Sequence, residues 1–409
     1  MGKETDPNRI QCPLPREEVL RLREHYRAAL FEDCIPWWEK HSPDREQGGY
    51  YSCLERDGRV YCGDKFVWML GRQVWMFSHL YACHEPRPEW LELARHGARF
   101  LLDHAFAPEG RPYFRLTRQG RPRAHGGNPY TECFIAIGLG ELAAATGGEA
   151  MQGRAVDVYL RVRSLLGRPA PAPLLGYPLE TPFCLHAHEM IRLTTAWVLN
   201  RLWPDPRWED DLSRAAATIR DRYWRGEDRV LLENVGPDGS AMLEVPEGRM
   251  VHPGHAMESA WMLMELARRR GDEALMSLAA DITAGSMERG WDETYGGVRY
   301  LVSLDGSPTW PVNADMKIWW VHAEALYATL LGWVCTGRED LAAWFRRVHD
   351  YAFNHFPDPE HGEWYPYLNR DGSVVFTAKA NGSKGCFHLP RMLFRVYQLL
   401  DRSVCFSSG

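Results

Sequence analysis

Apolar side chains recur about every three or four residues in one stretch of this chain after another, a spacing typical of helices. Every second predicted helix, starting with 66–84, is the more apolar or aromatic, as in a helix that is buried on all sides. The helices between them carry charged faces, so we expect alternating inner and outer helices. The twelve predicted helices lie near residues 16–40, 66–84, 89–106, 130–146, 150–166, 182–201, 208–224, 255–270, 272–289, 316–336, 338–355 and 385–402.

Short stretches with aromatic residues separate many of these helices, each between two glycine-containing turns, and they predict β-hairpins. The predicted hairpins cover residues 44–58, 107–120, 226–239, 291–306 and 358–372. Their closing glycines are 62, 119, 67 and 66 residues apart. The double interval predicts that one hairpin near residue 180 is lost or degenerate, in the proline-rich segment 168–182.

A structural unit that recurs at a nearly constant interval is the signature of a repeat architecture. Six helix pairs can close into a ring, so we predict an all-α fold, an (α/α)6 barrel with short β-hairpins in its connecting loops. One domain then covers residues 1–409, with short flexible ends at about 1–14 and 403–409. The alternative is a helical protein of two domains.

Five polar residues at the starts of predicted inner helices are expected to share one site. In such a barrel the loops that enter the inner helices meet at one mouth, where a pocket with convergent polar groups is expected. The five residues are Arg72, Glu132, His255, Lys317 and His388.

Two histidines are the main candidates for chemistry. His255 follows the Pro253-Gly254 turn at the start of a helix, and His388 follows a glycine-containing turn near residue 385. A neutral imidazole takes or gives a proton near neutral pH. We expect these two rings to face each other across a sugar-sized pocket, removing a proton from one side of a carbon and returning one from the other. Glu258, one helical turn after His255, is a candidate to orient it or to take part in the proton transfer.

Arg72 and the stretch 313–327 supply further candidates. The guanidinium of Arg72 lies in an apolar helix and needs a partner, either a carboxylate or a ligand oxygen, where it could stabilise charge on a carbonyl. The stretch 313–327 contains adjacent tryptophans, of which one, Trp320, could stack on a sugar while the other packs in the core, and Glu324 follows one turn later. Beside the two histidines as catalytic residues, six residues are predicted to bind the substrate: Arg72, Glu132, Glu258, Lys317, Trp320 and Glu324.

Composition excludes several classes of function. A net charge of −6 gives no electrostatic case for binding nucleic acid or an anionic membrane. Ten cysteines occur without a CxxC pair, which favours reduced thiols in the cytoplasm, and no apolar run is long enough to span a membrane. The pairs His186/His188 and His252/His255 lack further ligands at a recognisable spacing, so no metal site is predicted. No phosphate-binding glycine loop is present.

The chain resembles the N-acylglucosamine 2-epimerase family over nearly its whole length. The matching motifs, in order, are GGYYSCLERDGRVY, DKFVWMLGRQVWMFS, ENVGPDGS, HPGHAMESAW, WDETYGGVRY, MKIWWVHAEAL, DPEHGEWYPYLNRDG and KGCFHLPR. The family fold is an (α/α)6 barrel, which agrees with the repeat count.

The resemblance implies the interconversion of N-acetylglucosamine and N-acetylmannosamine. The sugar ring opens, the proton beside the aldehyde leaves, and a proton returns to the opposite face of that carbon. His255 and His388 match the family's catalytic histidines, and Arg72 matches an arginine near the carbonyl oxygen. No cofactor takes part in the chemistry, ATP acts as an activator, and a cytoplasmic homodimer is expected.

Local departures from the family pattern lie near the predicted barrel mouth. His252 stands where the family often has Asn, residues 311–315 differ from a common Leu-Glu-Trp triplet, and the run before the last motif also differs. These positions leave open an epimerase or aldose–ketose isomerase of an unmodified sugar such as mannose, glucose or cellobiose.

Two other classes of protein remain as alternatives. A glycoside hydrolase would need two carboxylates flanking a cleft, for which Glu132, Glu258 and Glu324 are available. The second alternative is a non-catalytic binding protein. The paired histidines favour isomer chemistry over hydrolysis, and the presence of His255, His388 and Arg72 argues against a protein that only binds.

Overall fold

The alternation of helices predicted from the sequence is present in the computed structural model, which describes residues 13–126, 129–171 and 182–405. The helices are α1 Arg16–Ala28, α2 Ile35–His41, α3 Val67–Cys83, α4 Pro88–His104, α5 Tyr130–Thr146, α6 Glu149–Arg163, α7 His186–Leu202, α8 Pro206–Thr218, α9 Pro253–Arg270, α10 Glu273–Gly290, α11 Trp319–Thr336, α12 Glu339–His355 and α13 His388–Cys405.

The strands are short, and most lie in the connections that lead into the inner helices. They are β1 Cys53–Leu54, β2 Val60–Cys62, β3 Lys65–Phe66, β4 Tyr113–Leu116, β5 Pro122–His125, β6 Ala170–Pro171, β7 Pro182–Leu185, β8 Trp224–Arg225, β9 Val230–Leu231, β10 Asn234–Val235, β11 Met250–Val251, β12 Val302–Ser303, β13 Lys317–Ile318, β14 Tyr367–Leu368 and β15 Val374–Phe376.

Odd-numbered helices from α3 to α13 form an inner ring in which each helix packs against the next. Ring contacts between α3 and α13, such as His79 with Phe394 at 5.7 Å, close the ring of helices. The outer helices α4, α6, α8, α10 and α12 pack against the inner helices that precede them, and α1 packs against α13. The predicted (α/α)6 barrel is therefore confirmed.

Inner helices approach most closely where glycines face each other. A Cβ on Gly138 of α5 would lie 2.4 Å from the carbonyl oxygen of Gly71 in α3, closer than real Cβ contacts come. The two backbones can touch only because neither residue has a side chain. This contact sets the position of α3 one residue before Arg72.

Two outer helices are longer than their α-helical parts. A π-helical turn, Ala29–Cys34, joins α1 to α2, and another, Ile219–Tyr223, extends α8. Such turns insert extra residues into a helix without ending it. They explain why sequence periodicity indicates single helices over 16–40 and 208–224.

Three inner helices, α3, α7 and α11, begin later than predicted, because residues predicted at their starts lie in entry strands. The clearest case is the predicted helix 182–201, in which Pro182–Leu185 is β7 and α7 starts at His186. The entry strands have ladder partners in the hairpin that follows: β3 pairs with β4, β7 with β10, β11 with β12, and β13 with β14.

The predicted hairpins contain two successive turns. In the first repeat, an isolated bridge joins Pro43 to Tyr50, and β1 then pairs with β2 around a second turn that contains Gly58. The glycine thus lies inside the hairpin and not at its end. At the place predicted to be degenerate, β6 pairs with β7, and residues 172–181 between them lie outside the described part of the chain.

The ring of hairpins closes between the first repeat and the last. Leu54 and Ala380 exchange backbone hydrogen bonds of 3.2 Å in both directions. The segment before α13 is thereby joined to the first hairpin, as the other entry strands are joined to theirs. The flexible ends predicted at 1–14 and 403–409 fall largely outside the described residues.

A buried ion cluster recurs at three of these joints, and we call it the Asp–Lys–Arg cluster. In each, the aspartate side chain at the start of a hairpin is completely buried. It accepts a hydrogen bond from a completely buried lysine in the segment that enters the next inner helix, and another from an arginine of the following hairpin. The lysine Nζ–aspartate Oδ2 and arginine Nε–aspartate Oδ2 distances are 2.9 and 2.9 Å in Asp44–Lys65–Arg118, 3.0 and 2.8 Å in Asp292–Lys317–Arg370, and 2.9 and 2.8 Å in Asp358–Lys379–Arg56.

The aspartate of each cluster also holds the backbone of its turn. Asp358 Oδ1 accepts hydrogen bonds from the backbone N–H groups of Glu360 and His361 at 3.1 and 3.3 Å. Burial opposes ionisation of Asp358, but its bonds to Arg56 and Lys379 hold the pKa well below the usual range. Burial also lowers the pKa of Lys379 to about 8 despite that partner. A buried lysine of this kind depends on its counter-charge.

Among the helices that the structure describes, none is long and apolar enough to cross a membrane.

We predict that Asp358→Asn destabilises the barrel. The amide retains an oxygen for the turn but leaves Lys379 buried without an anion, and removing one partner of a buried pair costs about 3–5 kcal/mol. Chemical denaturation at neutral pH measures the loss in free energy of unfolding. Asp57→Asn, on an exposed turn near Gly58, is the matched control, and equal stability of the two variants would contradict the role assigned to the cluster.

Candidate functional site

His255 is the third residue of α9, at the position the sequence predicts. Pro253 starts this helix without needing an N–H partner, and His252 caps it by accepting the backbone N–H of His255 on Nδ1 at 3.4 Å. The rings of His252 and His255 stack with centroids 3.9 Å apart. The cap and the stack together fix where the His255 ring lies.

Glu233 orients the imidazole of His255. Its Oε1 lies 3.0 Å from His255 Nδ1, and its Oε2 lies 3.6 Å from Nδ1 of the buried His186. Burial lowers the pKa of His255, but the charge and hydrogen bond of Glu233, together with the charges of Glu258 and Glu324, raise it above its ordinary value. With Nδ1–H directed at the carboxylate, Nε2 of His255 is the ring nitrogen left for a substrate.

His388 begins α13 and has the same arrangement with another carboxylate. Its Nδ1 lies 2.7 Å from Oε1 of Glu324. Burial and the positive charges of Arg72 and Arg391 lower the pKa of His388 well below its ordinary value. A neutral ring that donates Nδ1–H to Glu324 presents an unprotonated Nε2, which is the form of a general base.

Arg391 joins the carboxylates behind His388. Its guanidinium donates to Glu258 Oε1 at 2.6 Å and to Glu324 Oε1 at 2.7 Å. Trp261 donates to the other oxygen of Glu324 at 2.7 Å. Glu324 is completely buried with both oxygens engaged, so its predicted role in binding substrate is replaced by that of orienting His388.

Glu258 also departs from the prediction. It is 4% exposed and pairs with Arg391, while Glu233 holds His255. Glu258 was expected to orient His255 or to contact the sugar. Glu258 therefore contacts Arg391, which lies on the same helix as His388.

Trp320 connects the two histidines. Its ring centroid lies 5.4 Å from that of His255 and 5.3 Å from that of His388. A Cβ on Gly254 would come within 2.7 Å of this ring, so the glycine is needed for Trp320 to occupy its place. Trp319 is buried and packs on Tyr367, so that one tryptophan of the pair is in the site and the other in the core.

Arg72 lies among aromatic faces and has no carboxylate bonded to it. Its guanidinium carbon is 4.4 Å from the ring centroid of Trp68, 4.1 Å from Phe134 and 5.0 Å from Phe387. Within the described residues, its Nε has no hydrogen-bond partner. Burial lowers the pKa of Arg72 to about 9, although the charge of Glu258 opposes the shift. The sequence left two partners open for Arg72, a carboxylate or a ligand oxygen, and these contacts favour the ligand oxygen.

Lys317 and Glu132 behave differently from the prediction. Lys317 is completely buried and bonded to Asp292 in an Asp–Lys–Arg cluster, so we no longer assign it to the substrate. Glu132, in the first turn of α5, is 7% exposed, and its Oε2 is buried without a hydrogen bond in the part of the chain described. Burial raises the pKa of Glu132, which favours the neutral acid.

Glu258, Glu324 and His388 present ligand atoms within 4.8 Å of one another, close enough to hold a metal ion. Arg391 already lies between the two carboxylates and supplies a positive charge there. A cation bound at that place would compete with this guanidinium. That no metal ion binds to Glu258, Glu324 and His388 therefore stays a prediction, which the competition with Arg391 supports.

Sequence reasoning missed Glu233, His186 and Arg391. Glu233 opens the motif ENVGPDGS, which carries no catalytic signature of its own, and it reaches His255 only through the pairing of β10 with β7 and the backbone bond from His186 N to Glu233 O. Arg391 could have been found, because it lies three residues after His388 and therefore on the same helix face.

A cavity of about 690 Å³ opens away from the histidines, around residues 299–315. Arg289, Arg299 and Arg370 line it together with Asp228, Glu288 and Asp315, so its charges balance. None of the predicted site residues lines this cavity.

Comparison with known proteins agrees with the fold. A profile of the family described as N-acylglucosamine 2-epimerase (GlcNAc 2-epimerase) matches residues 49–390. The N-acylglucosamine 2-epimerase of Bos taurus is 36% identical over 397 residues, 94% of this chain and 93% of the relative. The cellobiose 2-epimerase of Bacteroides fragilis is 26% identical over 379 residues, 86% of this chain and 92% of the relative.

Among solved structures, the cellobiose 2-epimerase from Spirochaeta thermophila superimposes with a TM-score of 0.81 and 21% identity, over 94% of this chain and 98% of that chain. That likeness supports the barrel fold. The profile match and the identity across nearly all of both sequences show that this chain belongs to the N-acylglucosamine 2-epimerase family.

Proposed function

We propose that the protein is a sugar 2-epimerase, an isomerase that interconverts N-acetyl-D-glucosamine and N-acetyl-D-mannosamine. The observation that carries the proposal is the matched pair of histidines beside Trp320. His255 and His388 each direct Nδ1 at a carboxylate and leave Nε2 for a substrate. Two such groups at one pocket suit the removal of a proton from one face of a carbon and its replacement on the other.

The proposed reaction begins with opening of the sugar ring, which places a carbonyl at carbon 1. The hydrogen on carbon 2 then becomes acidic, because the resulting enediolate-type anion spreads its charge onto the carbonyl oxygen. His388 is the base in this scheme, since burial and Arg72 lower its pKa and keep its ring neutral. Glu324 holds the ring and stabilises the imidazolium that forms.

Arg72 is proposed to stabilise the anion. Its guanidinium is buried against aromatic rings, and no protein carboxylate is bonded to it. Preorganised donors in a water-poor site stabilise developing charge more strongly than water does. A substrate oxygen that becomes negative would satisfy the unpartnered arginine at the moment when the reaction needs it.

His255 is proposed as the acid that returns a proton to carbon 2 from the opposite face. Glu233 raises the pKa of His255, which shifts the ring towards its protonated form. A neutral His388 and a protonated His255 form the state that serves one direction of the reaction. The reverse direction requires the opposite protonation of the pair, which exchange with solvent supplies.

A glycoside hydrolase fits this site less well. Such an enzyme needs a carboxylic acid and a separate carboxylate on the two sides of the bond to be cleaved. Glu258 and Glu324 both accept from Arg391, and Glu324 is also bonded to His388. Because one guanidinium binds both carboxylates, they lie together beside His388 and do not flank a bond from opposite sides.

The N-acetylated substrate is favoured by the degree of similarity. Identity is 36% with an enzyme named for N-acylglucosamine and 26% with one named for cellobiose. Epimerisation or aldose–ketose isomerisation of an unmodified sugar, such as mannose, glucose or cellobiose, is the second candidate, because proton transfer beside a carbonyl serves all of them.

Three further features belong to the proposal. ATP is proposed as an activator and not as a reactant, since epimerisation leaves the oxidation state of the sugar unchanged and consumes no phosphate bond. The cytoplasm is proposed because the eight cysteines in the described residues are free thiols, which a reducing compartment preserves. A homodimer is proposed from the helical exterior of the barrel, and light scattering of the purified protein measures it.

We predict that N-acetylmannosamine in D₂O is converted to N-acetylglucosamine carrying deuterium at carbon 2. Proton NMR follows the loss of the carbon-2 signal, with and without ATP. His388→Ala abolishes the conversion because the base is gone, whereas His361→Ala, on an outer turn, retains it.

No conversion of the N-acetylated sugar in either condition would contradict the substrate, and mannose, glucose and cellobiose then serve as the next substrates in the same assay. Conversion with full retention of the original proton would contradict proton exchange through the histidines.

We also predict that Glu233→Gln loses activity at a lower pH than the unchanged protein does on the alkaline side of its pH profile. Loss of the carboxylate lowers the pKa of His255, so the ring loses its proton at lower pH. The alkaline limb of kcat/KM should move down by about 1–3 pH units, the effect of one close opposite charge. The acid limb, assigned to His388, should stay in place.

Glu244→Gln is the matched control, because Glu244 is exposed in the same loop region. An unchanged alkaline limb in Glu233→Gln would show that His255 is not the group whose protonation limits the reaction.

A further inference from the structure

Three potential metal ligands converge at the end of the barrel opposite the catalytic histidines. His255 and His388 lie at the starts of their inner helices, whereas Cys83 is the last residue of α3 and Glu141 lies in the last turns of α5. His79, one turn before Cys83, lies on the same face of α3. These residues take no part in the proposed proton transfer.

The donor atoms of this cluster face one another. His79 Nδ1 lies 2.9 Å from Glu141 Oε1 and 3.5 Å from Cys83 Sγ, and all three ligand atoms lie within 4.8 Å of one another. Arg201 bonds to the other oxygen of Glu141, which leaves Oε1 directed at the cluster. Glu141 is buried, while Cys83 is exposed, so the cluster is open to solvent on the thiol side.

The imidazole of His79 is fixed by its neighbours. It stacks on Trp75 with centroids 4.6 Å apart and contacts Phe394 edge-on at 5.7 Å. Glu141 is in turn held by Arg201. Two of the three donors are therefore held in place before any ion binds, which reduces the ordering that binding requires.

Cys83 differs from the other thiols whose surroundings shift their acidity. Burial opposes ionisation of Cys83, but the hydrogen bond from His79 lowers its pKa below the ordinary value. Burial raises the pKa of Cys335, at the same end of the barrel, to about 12. The thiolate is the form that binds metals.

We propose that His79, Cys83 and Glu141 form a binding site for a thiophilic divalent cation of the Zn²⁺ class. Nitrogen, sulfur and carboxylate oxygen are the donors that Zn²⁺ takes in proteins, and three protein ligands with one position open to water is a common arrangement. On binding, the Cys83 S–H bond breaks, its proton goes to solvent, and the S–metal bond forms. Nδ1 of His79, whose proton faces Glu141 Oε1 in the free protein, gives that proton to solvent, and the neutral ring binds through Nδ1 with a proton on Nε2.

The bound ion would connect two neighbouring inner helices. Cys83 and His79 belong to α3 and Glu141 to α5, so the ion forms a cross-link between them at the end remote from the substrate. We expect it to raise the thermal stability and to leave the epimerase reaction unchanged.

Cobalt(II) titration of the full, chelator-treated chain tests the site, because a cobalt–thiolate bond gives a charge-transfer band in the near ultraviolet. The expected result is a band that saturates at one equivalent of Co²⁺ and is displaced by Zn²⁺. Cys83→Ser should lose the band and keep epimerase activity. Cys335→Ser, the matched control, should keep both, and Zn²⁺ should protect Cys83 from iodoacetamide.

A chain without the band, a band that persists in Cys83→Ser, or alkylation of Cys83 at the same rate with and without Zn²⁺ would overturn the site. The active-site group of Glu258, Glu324 and His388 contains no thiol. Cobalt bound there cannot produce the band, so the two places are distinguished by the same spectrum.

Discussion

The buried Asp–Lys–Arg cluster is the interaction on which the mouth of this barrel depends. Each one joins three segments that are distant in sequence: the start of one hairpin, the entry strand of an inner helix, and the following hairpin. Because a buried lysine without its anion is costly, the three segments must dock together. The clusters at Asp292, Asp358 and Asp44 occupy consecutive joints, so they cover the arc in which the ring closes.

The catalytic geometry follows from these fixed connections. β13, whose Lys317 belongs to one cluster, leads directly into α11, which carries Trp320 and Glu324. Lys379 belongs to another and precedes α13, which begins with His388. The histidines are thus placed by backbone that is held in the hairpin layer. Their pKa values shift in opposite directions, because burial, Arg72 and Arg391 lower the pKa of His388, whereas the contacts with Glu233 raise that of His255.

Much of the fold could be predicted, because helix periodicity and recurring glycines are local signals. The π-helical turns and the entry strands could not, since β7 becomes a strand through its ladders with β6 and β10, which are tertiary contacts. His255, His388 and Trp320 were predicted as site residues because they lie at the starts of inner helices. Lys317 was predicted for the same reason, but it is bonded to Asp292. A lysine at such a position can point to a substrate or to Asp292, and local sequence does not distinguish them. Glu233 reaches His255 only through tertiary pairing.

Closure of the ring has a consequence for the order of folding. Arg56 and Asp358 are 302 residues apart in sequence, and α13 must return to α1 before their contact can form. Contacts of such long range carry a large loop-closure cost and form late in folding. The helix that completes the ring also carries His388. While α13 is undocked, His388 is away from His255, so the step that closes the ring also brings together the two histidines of the candidate site.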